Sequence, residues 1–378
     1  MRGLCVVALG AGAGAALEDR VGAALEARGF EVFAVVADGR LEALADELDI
    51  APERAVVAFN PLLQAEAATA RARPFHSEEV ARAAHLLASL TEESGRLLRV
   101  TRSEAEAEAV ARRLLDGPAW AALDAAVEAR RAEMASAYPV LADLSRFKYR
   151  AKVERVRYGE ATAVLKTYRR NARDAMAREA GFAREIGRLS DVPPRILEQT
   201  DNALLFEDID NALRVRRILG LRVPLPLPLA RVRELAEFVR LCCAQGFDAI
   251  DLTPRDNVLI DAETGRLRAI DFEFATRRDG PVRPEESYCL SGVPASAQVA
   301  RPLLNAMEED PYPSKWRPYT GLSKRSFLRD PPWLQHLKRV ALHPFWLVGF
   351  AAGAMVRRRR HRATRGENID AVAWRGRG

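Results

Sequence analysis

Cysteine is scarce in this 378-residue chain, which contains four. They are Cys5, the adjacent pair Cys242 and Cys243, and Cys289. This distribution has neither the recurring spacing of a disulfide framework nor the Cys-x-x-Cys spacing of a zinc site. We therefore expect free thiols and a reducing, cytoplasmic environment.

We expect neither a secretory signal nor internal repeats in this chain. Its opening residues, MRGLCVVALGAGAGAAL, contain one early arginine, and their apolar run is typical of a strand, a glycine turn and the start of a helix. No segment recurs at a fixed period. With 48% apolar residues, the chain is long enough to form two domains with a core in each.

The body of the chain has no excess of positive charge, although the whole chain carries +6. Residues 338–378 contain ten Lys and Arg against Glu367 and Asp370, and therefore carry +8. The preceding 337 residues consequently carry −2. A nucleic-acid groove requires a basic surface, so we predict no nucleic-acid partner and look to the tail for the role of the positive charge.

Residues 1–102 alternate short β-rich runs with helical stretches, a rhythm typical of a small α/β domain with a parallel, Rossmann-like sheet. The first turn, Gly10 to Gly14, resembles a dinucleotide-binding fingerprint, and Asp38 ends the second strand at a suitable distance. The third glycine of that fingerprint would fall at position 15, which is Ala15. A plain strand-to-helix turn is therefore favoured, and a nucleotide site is the alternative.

Residues 103–139 are rich in Ala, Glu and Arg and predict two helices that connect two domains. Strands return near residue 140, where KYRAKVERVRYG and EATAVLKTYRR meet at Gly159 in a predicted β-hairpin. We predict a second domain over residues 140–330 and a tail over residues 331–378.

Within the second domain, chemically useful side chains follow one another in an informative order. The series along the chain is Lys166, Glu179, Asp251, Asn257 and Asp271. Buried carboxylates cost free energy unless they are paired or bound to a metal. Phosphoryl transfer from ATP needs such a set: a lysine on the phosphates held by a glutamate, an aspartate near the accepting hydroxyl, and an asparagine and an aspartate on Mg²⁺.

The motifs AVLK, IDLTPRDNVLI and IDFEFA resemble the strand lysine, the catalytic loop and the Asp-Phe-Gly motif of the protein-kinase-like superfamily. The resemblance covers about residues 140–330. Within the superfamily, the chain resembles bacterial lipopolysaccharide kinases and related small-molecule kinases. ESYCLSGVP and YPSKWRPYTGLSKRSFL resemble segments that follow the catalytic core in such proteins. The resemblance implies a kinase-like α+β fold, with a small β-rich lobe and a helical lobe, and ATP and Mg²⁺ as cofactors.

The resemblance also implies a role for each matching residue. Asp251 is the candidate catalytic residue, which orients or deprotonates the accepting hydroxyl. The candidate nucleotide-binding residues are Lys166, Glu179, Glu207, Asp208 and Ile209. The candidate metal ligands are Asn257 and Asp271. Glu185 is the alternative to Glu179, and Asp256 is the alternative to Asn257.

The chain departs from the kinase pattern in four respects. Ala249 stands where the catalytic loop usually has histidine, and Asn257 follows Asp251 by six residues where five are usual. Glu273 replaces the glycine of Asp-Phe-Gly. No glycine-rich loop precedes the strand lysine, which leaves three basic side chains as alternative phosphate partners: Arg146, Lys148 and Arg150.

The tail begins with VALHPFWLVGFAAGAMV, residues 340–356, which contains no Asp, Glu, Lys or Arg. Arg357–Arg360 and Arg362 follow at once. Seventeen residues are at the lower limit for spanning a bilayer, and Pro344 falls inside the segment. The alternatives are a buried terminal helix and a helix on an anionic membrane, at the inner face of the cytoplasmic membrane.

We interpret the chain as an ATP- and Mg²⁺-dependent phosphotransferase acting on a hydroxyl of a cell-surface glycan or lipid-linked glycan, an acceptor that depends on the resemblance alone. The alternative is a pseudokinase, a nucleotide-binding scaffold in polysaccharide assembly, which Ala249 and the missing glycine loop favour. A third interpretation places an enzymatic activity in the N-terminal domain, because of its glycine turn.

Overall fold

The computed structural model describes residues 2–45, 50–63, 75–90, 94–212, 216–218, 221–223, 226–300, 310–349 and 352–353. The chain forms two compact units. In the described part, the first unit comprises the described residues of 2–137 together with Ser145–Lys152. The second comprises Tyr138–Leu144 and the described residues from Val153 to residue 353.

The first unit is built around a four-stranded sheet. Its strands are β1 (Leu4–Gly10), β2 (Glu31–Val36), β3 (Pro52–Phe59) and β4 (Leu98–Val100). Its helices are α1 (Gly14–Glu26), α2 (Glu42–Ala45), α3 (Glu78–Ala88), α4 (Ser94–Leu97), α5 (Glu104–Leu114) and α6 (Gly117–Glu133). The strand order is β2-β3-β1-β4, and the neighbouring strands are antiparallel. This is the split βαβ arrangement of ferredoxin-like folds, in which β3 lies between β1 and β2.

The parallel, Rossmann-like sheet predicted for residues 1–102 is therefore wrong. A dinucleotide site of that type needs the carboxyl ends of adjacent parallel strands, which this antiparallel sheet does not offer. The glycine turn instead connects β1 to α1: Ala13 donates its backbone N–H to Gly10 O at 3.1 Å. Gly12 and Gly14 have φ values of 86° and 62°, which glycine adopts without strain.

Both faces of this sheet are covered, which explains the uninterrupted apolar sequence of β1. Val7 and Leu9 pack with α1 and α3 in one core, whereas Val6 and Ala8 pack with α5 and α6 in a second core. Alternate residues of a strand point to opposite faces, so a strand covered on both sides is apolar throughout. The helices α5 and α6, predicted as a connector, thus form a layer of the first unit.

The second unit begins with a five-stranded sheet and one long helix. The strands are β5 (Val140–Asp143), β6 (Ala151–Tyr158), β7 (Ala161–Tyr168), β8 (Ile196–Gln199) and β9 (Ala203–Glu207), and the helix is α7 (Arg173–Gly187). The strand order is β5-β6-β7-β9-β8. The predicted hairpin is present, with Gly159 at φ 59° between β6 and β7.

The rest of the second unit is mainly helical, with short β-pairs. The strands are β10 (Arg216–Ile218), β11 (Leu221–Val223), β12 (Phe247–Ala249), β13 (Val258–Ile260), β14 (Leu267–Ala269) and β15 (Ala275–Arg277). The helices are α8 (Leu229–Ala244), α9 (Tyr288–Ser291), a π-helical turn (Tyr312–Trp316), α10 (Arg317–Thr320), α11 (Lys324–Arg329) and α12 (residues 332–349). The antiparallel pairs are β10–β11, β12–β15 and β13–β14. A small sheet followed by a helical region fits the kinase-like fold that the motifs predict.

The core of the helical region joins α7 to α8 and to the β-pairs. Phe182 of α7 stacks on Phe272 with ring centres 4.2 Å apart, and Phe238 of α8 contacts both rings edge-on or nearly so. Trp316 is fully buried and donates Nε1–H to Cys289 O at 2.8 Å. These contacts fix the elements that carry the candidate site.

Within the described residues, no helix combines the length and the sustained apolar character that crossing a bilayer requires. Arg357–Arg360 and Arg362 lie outside the described residues.

Candidate active site

Lys166 places a buried cation at the centre of the candidate site. It lies near the end of β7, and only 9% of its side chain is exposed. Its Nζ is 2.7 Å from Glu179 Oε2, 2.6 Å from Asp271 Oδ1 and 3.8 Å from Glu273 Oε2. Burial acts to lower the pKa of Lys166, but the carboxylates, led by Asp271, raise it well above its ordinary value. Lys166 is therefore charged at neutral pH.

Glu179 is fixed on the inward face of α7. The buried positions of this helix, which include Glu179 and Phe182, recur every three or four residues. Glu179 Oε1 accepts the backbone N–H of Phe272 at 3.2 Å, and the Tyr168 hydroxyl donates to Oε2. Burial raises the pKa of Glu179, and the attraction of Lys166 opposes that rise. The carboxylate is thus held in place to orient the Lys166 ammonium.

The alternative partner, Glu185, lies elsewhere on α7. Six residues of α-helix turn the side chain by about 240° from the direction of Glu179. Glu185 forms an ion pair with Arg277 at 2.7 Å, and both side chains are partly exposed. The structure therefore brings Glu179 to Lys166 and leaves Glu185 at the surface.

Asp271 has an unusual backbone conformation. Its φ of 67° makes it the one non-glycine residue with positive φ in the described part of the chain. Left-handed backbone costs L-residues roughly 1–2 kcal/mol, although Asp and Asn adopt it more readily than most. In this conformation the carboxylate contacts Lys166 while 36% of the side chain stays exposed. Strain of this kind is often concentrated at functional sites.

The β13–β14 hairpin brings Asn257 beside Asp271. Val258 pairs with Ala269, and Ile270 donates its backbone N–H to Asn257 O at 2.9 Å. The two candidate metal ligands therefore lie at the same end of one hairpin. Asn257 is also buried, with 7% of its area exposed.

A turn accommodates the extra residue between Asp251 and Asn257. The backbone N–H groups of Asp256 and Asn257 both donate to Thr253 O, at 3.3 and 3.1 Å. Asp256 is exposed, and its Oδ2 lies 3.6 Å from Arg255 Nε. Asn257 Nδ2 instead donates to Asp251 O at 2.8 Å. Asn257, and not Asp256, is the residue that the loop places inside the site.

Asp251 has a carboxyl group suited to proton transfer. Burial raises its pKa to about 7, with added repulsion from Asp271, while the Lys315 ammonium acts in the opposite direction. An ordinary aspartate titrates near 4. A general base works best when its pKa is close to the working pH, so Asp251 is the candidate base.

The donor set of this site fits Mg²⁺ that arrives with a nucleotide. Within the described residues, no three His, Cys, Asp or Glu side chains form a cluster that could hold a metal ion. Mg²⁺ commonly takes one or two protein oxygens and completes its shell with water and substrate phosphates. The Asp271 carboxylate and the Asn257 amide oxygen are hard oxygen donors of this kind.

Solved structures that are similar to this chain include two structures of a Rio2 kinase. No protein-family model matches the sequence, and no curated protein matches it. The crystal structure of the Rio2 kinase from Chaetomium thermophilum is 18% identical, with a TM-score of 0.29, over 38% of this chain and 52% of that one. The Rio2 kinase–ADP/Mg²⁺–phosphoaspartate complex from the same organism is 18% identical, with a TM-score of 0.30, over 44% of this chain and 56% of that one. The chain thus spans about half the length of these structures, and at this similarity the roles of its residues depend on its own geometry.

The structure does not bring the Glu207 side chain to Lys166. Residues paired directly across an antiparallel ladder share a face, and Lys166 pairs with Leu204 while Glu207 pairs with Ala163. Since successive residues alternate between faces, the side chain of Glu207 lies on the opposite face of the sheet from Lys166. The Glu207 side chain therefore does not join the Lys166 cluster, and nucleotide binding by Glu207 and Asp208 stays a prediction.

Arginines hold both acids at the end of β9. Arg195 Nε lies 2.9 Å from Glu207 Oε2, and Arg268 forms a second ion pair with Glu207. Asp208 is paired with Arg155 at 2.8 Å. Glu207 also lines an open cavity of about 1000 Å³ between α7, α8 and residues 188–199, which includes none of the Lys166 cluster. A role of Ile209 in nucleotide binding stays a prediction, as do the phosphate contacts predicted for the basic side chains of residues 146–150.

Asp248 is a structural residue of the site that sequence reasoning did not single out. It is fully buried, and its Oδ1 accepts from Ser287 Oγ and from the Tyr288 backbone N–H, both at 2.8 Å. Arg278 forms an ion pair with the other oxygen. These bonds tie β12, which directly precedes the Asp251 loop, to the segment before α9. The only available signal was its place in the acid-rich segment FDAIDLTPRD, three residues before Asp251.

Lys315 is a second residue that sequence reasoning missed. It lies in the π-helical turn, and only 4% of its area is exposed. Although Lys315 is distant from Asp251 in the sequence, its ammonium group lowers the pKa of Asp251. The available signal was a lone lysine between aromatic residues in YPSKWRPY. Such π-helical turns are rare overall, but those that occur often lie at functional sites.

Proposed function

We propose that this protein is an ATP- and Mg²⁺-dependent phosphotransferase. The observation that carries the proposal is the buried Lys166 ammonium between Glu179 and Asp271. Asp251 and Asn257 lie in the adjoining loop and are joined by a hydrogen bond. Phosphoryl transfer depends mainly on positioning and charge stabilisation, and this set offers both.

Lys166 would bind the phosphates of the nucleotide. Its ammonium is held at a defined place because Glu179 is itself fixed by Tyr168 and by the backbone of Phe272. Pre-organised charge in a site with little water stabilises a transition state more than mobile charge in solvent does. Mg²⁺, when bound, would neutralise phosphate charge from the oxygen donors of Asp271 and Asn257.

Asp251 would act on the accepting hydroxyl. With a pKa of about 7, a large share of its carboxyl groups is deprotonated at neutral pH. The carboxylate can then orient the hydroxyl and accept its proton as the phosphoryl group is transferred. This role explains why an acid is retained at a buried position, where it costs free energy.

The acceptor that we propose is a hydroxyl of a cell-surface glycan or a lipid-linked glycan. Its support is the resemblance of the sequence motifs to lipopolysaccharide kinases and related small-molecule kinases. The alternative is a nucleotide-binding scaffold with little turnover. One observation favours it: Ala249, at the usual position of histidine, is buried in β12 and offers no polar group.

Calorimetric titration with Mg-ATP tests the nucleotide site. Lys166→Met keeps most of the side-chain volume and removes the charge, and Asp271→Asn keeps the shape and removes the negative charge of a proposed metal ligand. We expect each variant to bind Mg-ATP at least about tenfold more weakly. Arg157→Ala, which removes an exposed cation from the neighbouring strand β6, is the control and should bind as the wild type does. Wild-type affinity in both site variants would overturn the proposed site.

A transfer assay separates the enzyme from the scaffold. The purified protein is incubated with γ-labelled ATP and with glycan and lipid-linked glycan extracts, and the labelled products are resolved. We expect label to move to a glycan fraction in the wild type and to be lost in Lys166→Met. Tight Mg-ATP binding with no transfer to any fraction and no hydrolysis would favour the scaffold.

A further inference from the structure

The helix α12 presents its polar side to the protein. Gln335, Arg339 and His343 recur every four residues and therefore share one face. Gln335 donates to Ser326 O at 3.0 Å, and His343 Nε2 lies 2.9 Å from Pro318 O. Arg339 donates to a third backbone carbonyl. Hydrogen bonds from these three polar side chains to backbone carbonyls thus attach α12 to the rest of the second unit.

The outward face of α12 is apolar. Its large side chains are Trp333, Leu337, Val340, Phe345 and Val348, each 60–74% exposed. They are the five most exposed large apolar side chains in the described part of the chain. Their spacing of three to five residues keeps them on one broad side of the helix. The arrangement is the reverse of an ordinary surface helix, so the buried terminal helix considered from the sequence is not what forms.

An exposed apolar face of this size indicates a binding surface, and the positive charge that follows α12 in the sequence indicates the partner. Residues 338–378 carry +8, mostly in Arg357–Arg360 and the arginines that follow. A second copy of the chain on this face would bring two such basic tails together, which electrostatic repulsion opposes. An anionic bilayer instead offers an apolar interior for the side chains and negative headgroups for the arginines.

We propose that α12 lies flat on an anionic lipid surface, with its apolar face in the boundary between headgroups and acyl chains. The polar face stays attached to the second unit from Gln335 to His343, so the helix axis follows the protein surface. Trp333 is of the residue type that is enriched at this boundary, and Phe345 is typical of the apolar face of an interfacial helix. This surface goes beyond the proposed function and does not depend on it.

Vesicle co-sedimentation of the full chain tests the apolar face. The probes are vesicles of mixed phosphatidylglycerol and phosphatidylcholine, with pure phosphatidylcholine for comparison. We expect the wild type to bind the mixed vesicles. The triple variant Leu337→Ser, Val340→Ser and Phe345→Ser should bind them at least about tenfold more weakly. Because these side chains contact solvent, its melting temperature should stay within about 2 °C of the wild-type value.

A matched variant controls for the loss of apolar surface in general. Leu141, Leu144 and Leu189 are half-exposed leucines of the second unit that lie outside α12. Replacing all three by serine should leave vesicle binding unchanged. An equal loss of binding in this control and in the α12 variant would overturn the assignment to α12.

The charge is tested separately from the apolar face. Replacing Arg357–Arg360 by alanine should weaken binding to the mixed vesicles at least about tenfold and leave binding to pure phosphatidylcholine unchanged. Raising the salt from 0.1 M to 1 M should weaken wild-type binding in the same way, since the screening length falls from about 10 Å to about 3 Å.

Two outcomes would overturn the membrane proposal. One is an absence of wild-type binding to the mixed vesicles at low salt. The other is equal binding by the wild type and the α12 triple variant. If light scattering then shows a wild-type dimer that the triple variant dissociates, a second copy of the chain covers the face. The Mg-ATP titration is a separate measurement, so failure here leaves the proposed function untouched.

Discussion

The carboxyl group of Asp251 has a folded-state pKa of about 7, whereas an unfolded aspartate titrates near 4. The folded protein therefore holds a proton over this window that the unfolded chain has released. The stability associated with that proton is fully present below about pH 4 and is lost as the pH rises to about 7. Burial of this acid thus makes the fold less stable at the pH at which a general base is needed.

The substitution Asp251→Asn separates the loss of stability caused by burying this acid from its proposed role in catalysis. We expect phosphoryl transfer to fall by about a hundredfold or more, because the base is lost. Mg-ATP affinity should change by less than about twofold, since the Lys166 cluster is intact. The variant should also melt at a higher temperature than the wild type at pH 8, with a smaller difference at pH 5. Transfer rates, Mg-ATP titrations and thermal unfolding at both pH values would check these three expectations. A transfer rate equal to that of the wild type would exclude Asp251 as the base.

The charge of Lys315 lowers the pKa of Asp251, so its removal should raise that pKa above about 7. We expect the pH–rate profile of Lys315→Met to shift to higher pH, with a lower rate at pH 7 and partial recovery near pH 9. Lys324→Met, which changes a more exposed lysine of α11, is the matched control. A profile that keeps its wild-type midpoint would show that Lys315 does not influence the base.

At the scale of elements, α7 connects the packing of the core to the site. Phe182 is 1% exposed and stacks on Phe272, whose backbone N–H holds Glu179. Phe182→Ala should lower the free energy of unfolding by about 3–5 kcal/mol. It should also weaken Mg-ATP binding, because Phe272 loses its support.

Chemical denaturation and the Mg-ATP titration would check this pair of effects. Arg188→Ala, at the exposed end of α7, should change stability by less than about 0.5 kcal/mol. If Phe182→Ala loses stability but binds Mg-ATP like the wild type, α7 packing and Glu179 orientation are independent.

The elements themselves can be predicted from the sequence, because hydrophobic period and turn residues are local signals. The hairpin at Gly159 is an example. Strand partners are not local: the β1-α1-β2 rhythm is the same in a parallel sheet and in a split βαβ unit. Only the insertion of β3 between β1 and β2 decides between them. That is why a parallel sheet was predicted for residues 1–102.

The same distinction applies to the candidate site. The cluster of Lys166, Glu179 and Asp271 could be predicted because its motifs follow one another in a fixed order along the chain. The face of the sheet on which the Glu207 side chain lies could not be predicted, because it depends on the register between β7 and β9. The approach of Lys315 to Asp251 depends on tertiary packing of the π-helical turn, which no local pattern encodes.

At the scale of the whole molecule, the Lys166 cluster and the adjoining loop belong to the second unit, with Lys166, Glu179, Asp251, Asn257 and Asp271 all in Val153–Arg357. We therefore expect two transitions in scanning calorimetry, of which Mg-ATP shifts one. At a hundredfold excess over Kd the shift should be about 5–10 °C. Lys166→Met should retain both transitions and lose the shift. A single transition, or an equal shift of both, would contradict independent units.

The chain passes between the two units after Ala137, after Leu144 and after Lys152. The two units therefore do not follow one another as two uninterrupted stretches of sequence. After one protease cut near residue 138, the segment Ser145–Lys152 of the first unit would still be joined to the second unit at both of its ends. Neither unit corresponds to one uninterrupted stretch of the gene. A gene fragment that ends at Ala137 would therefore lack the part of the first unit that Ser145–Lys152 forms.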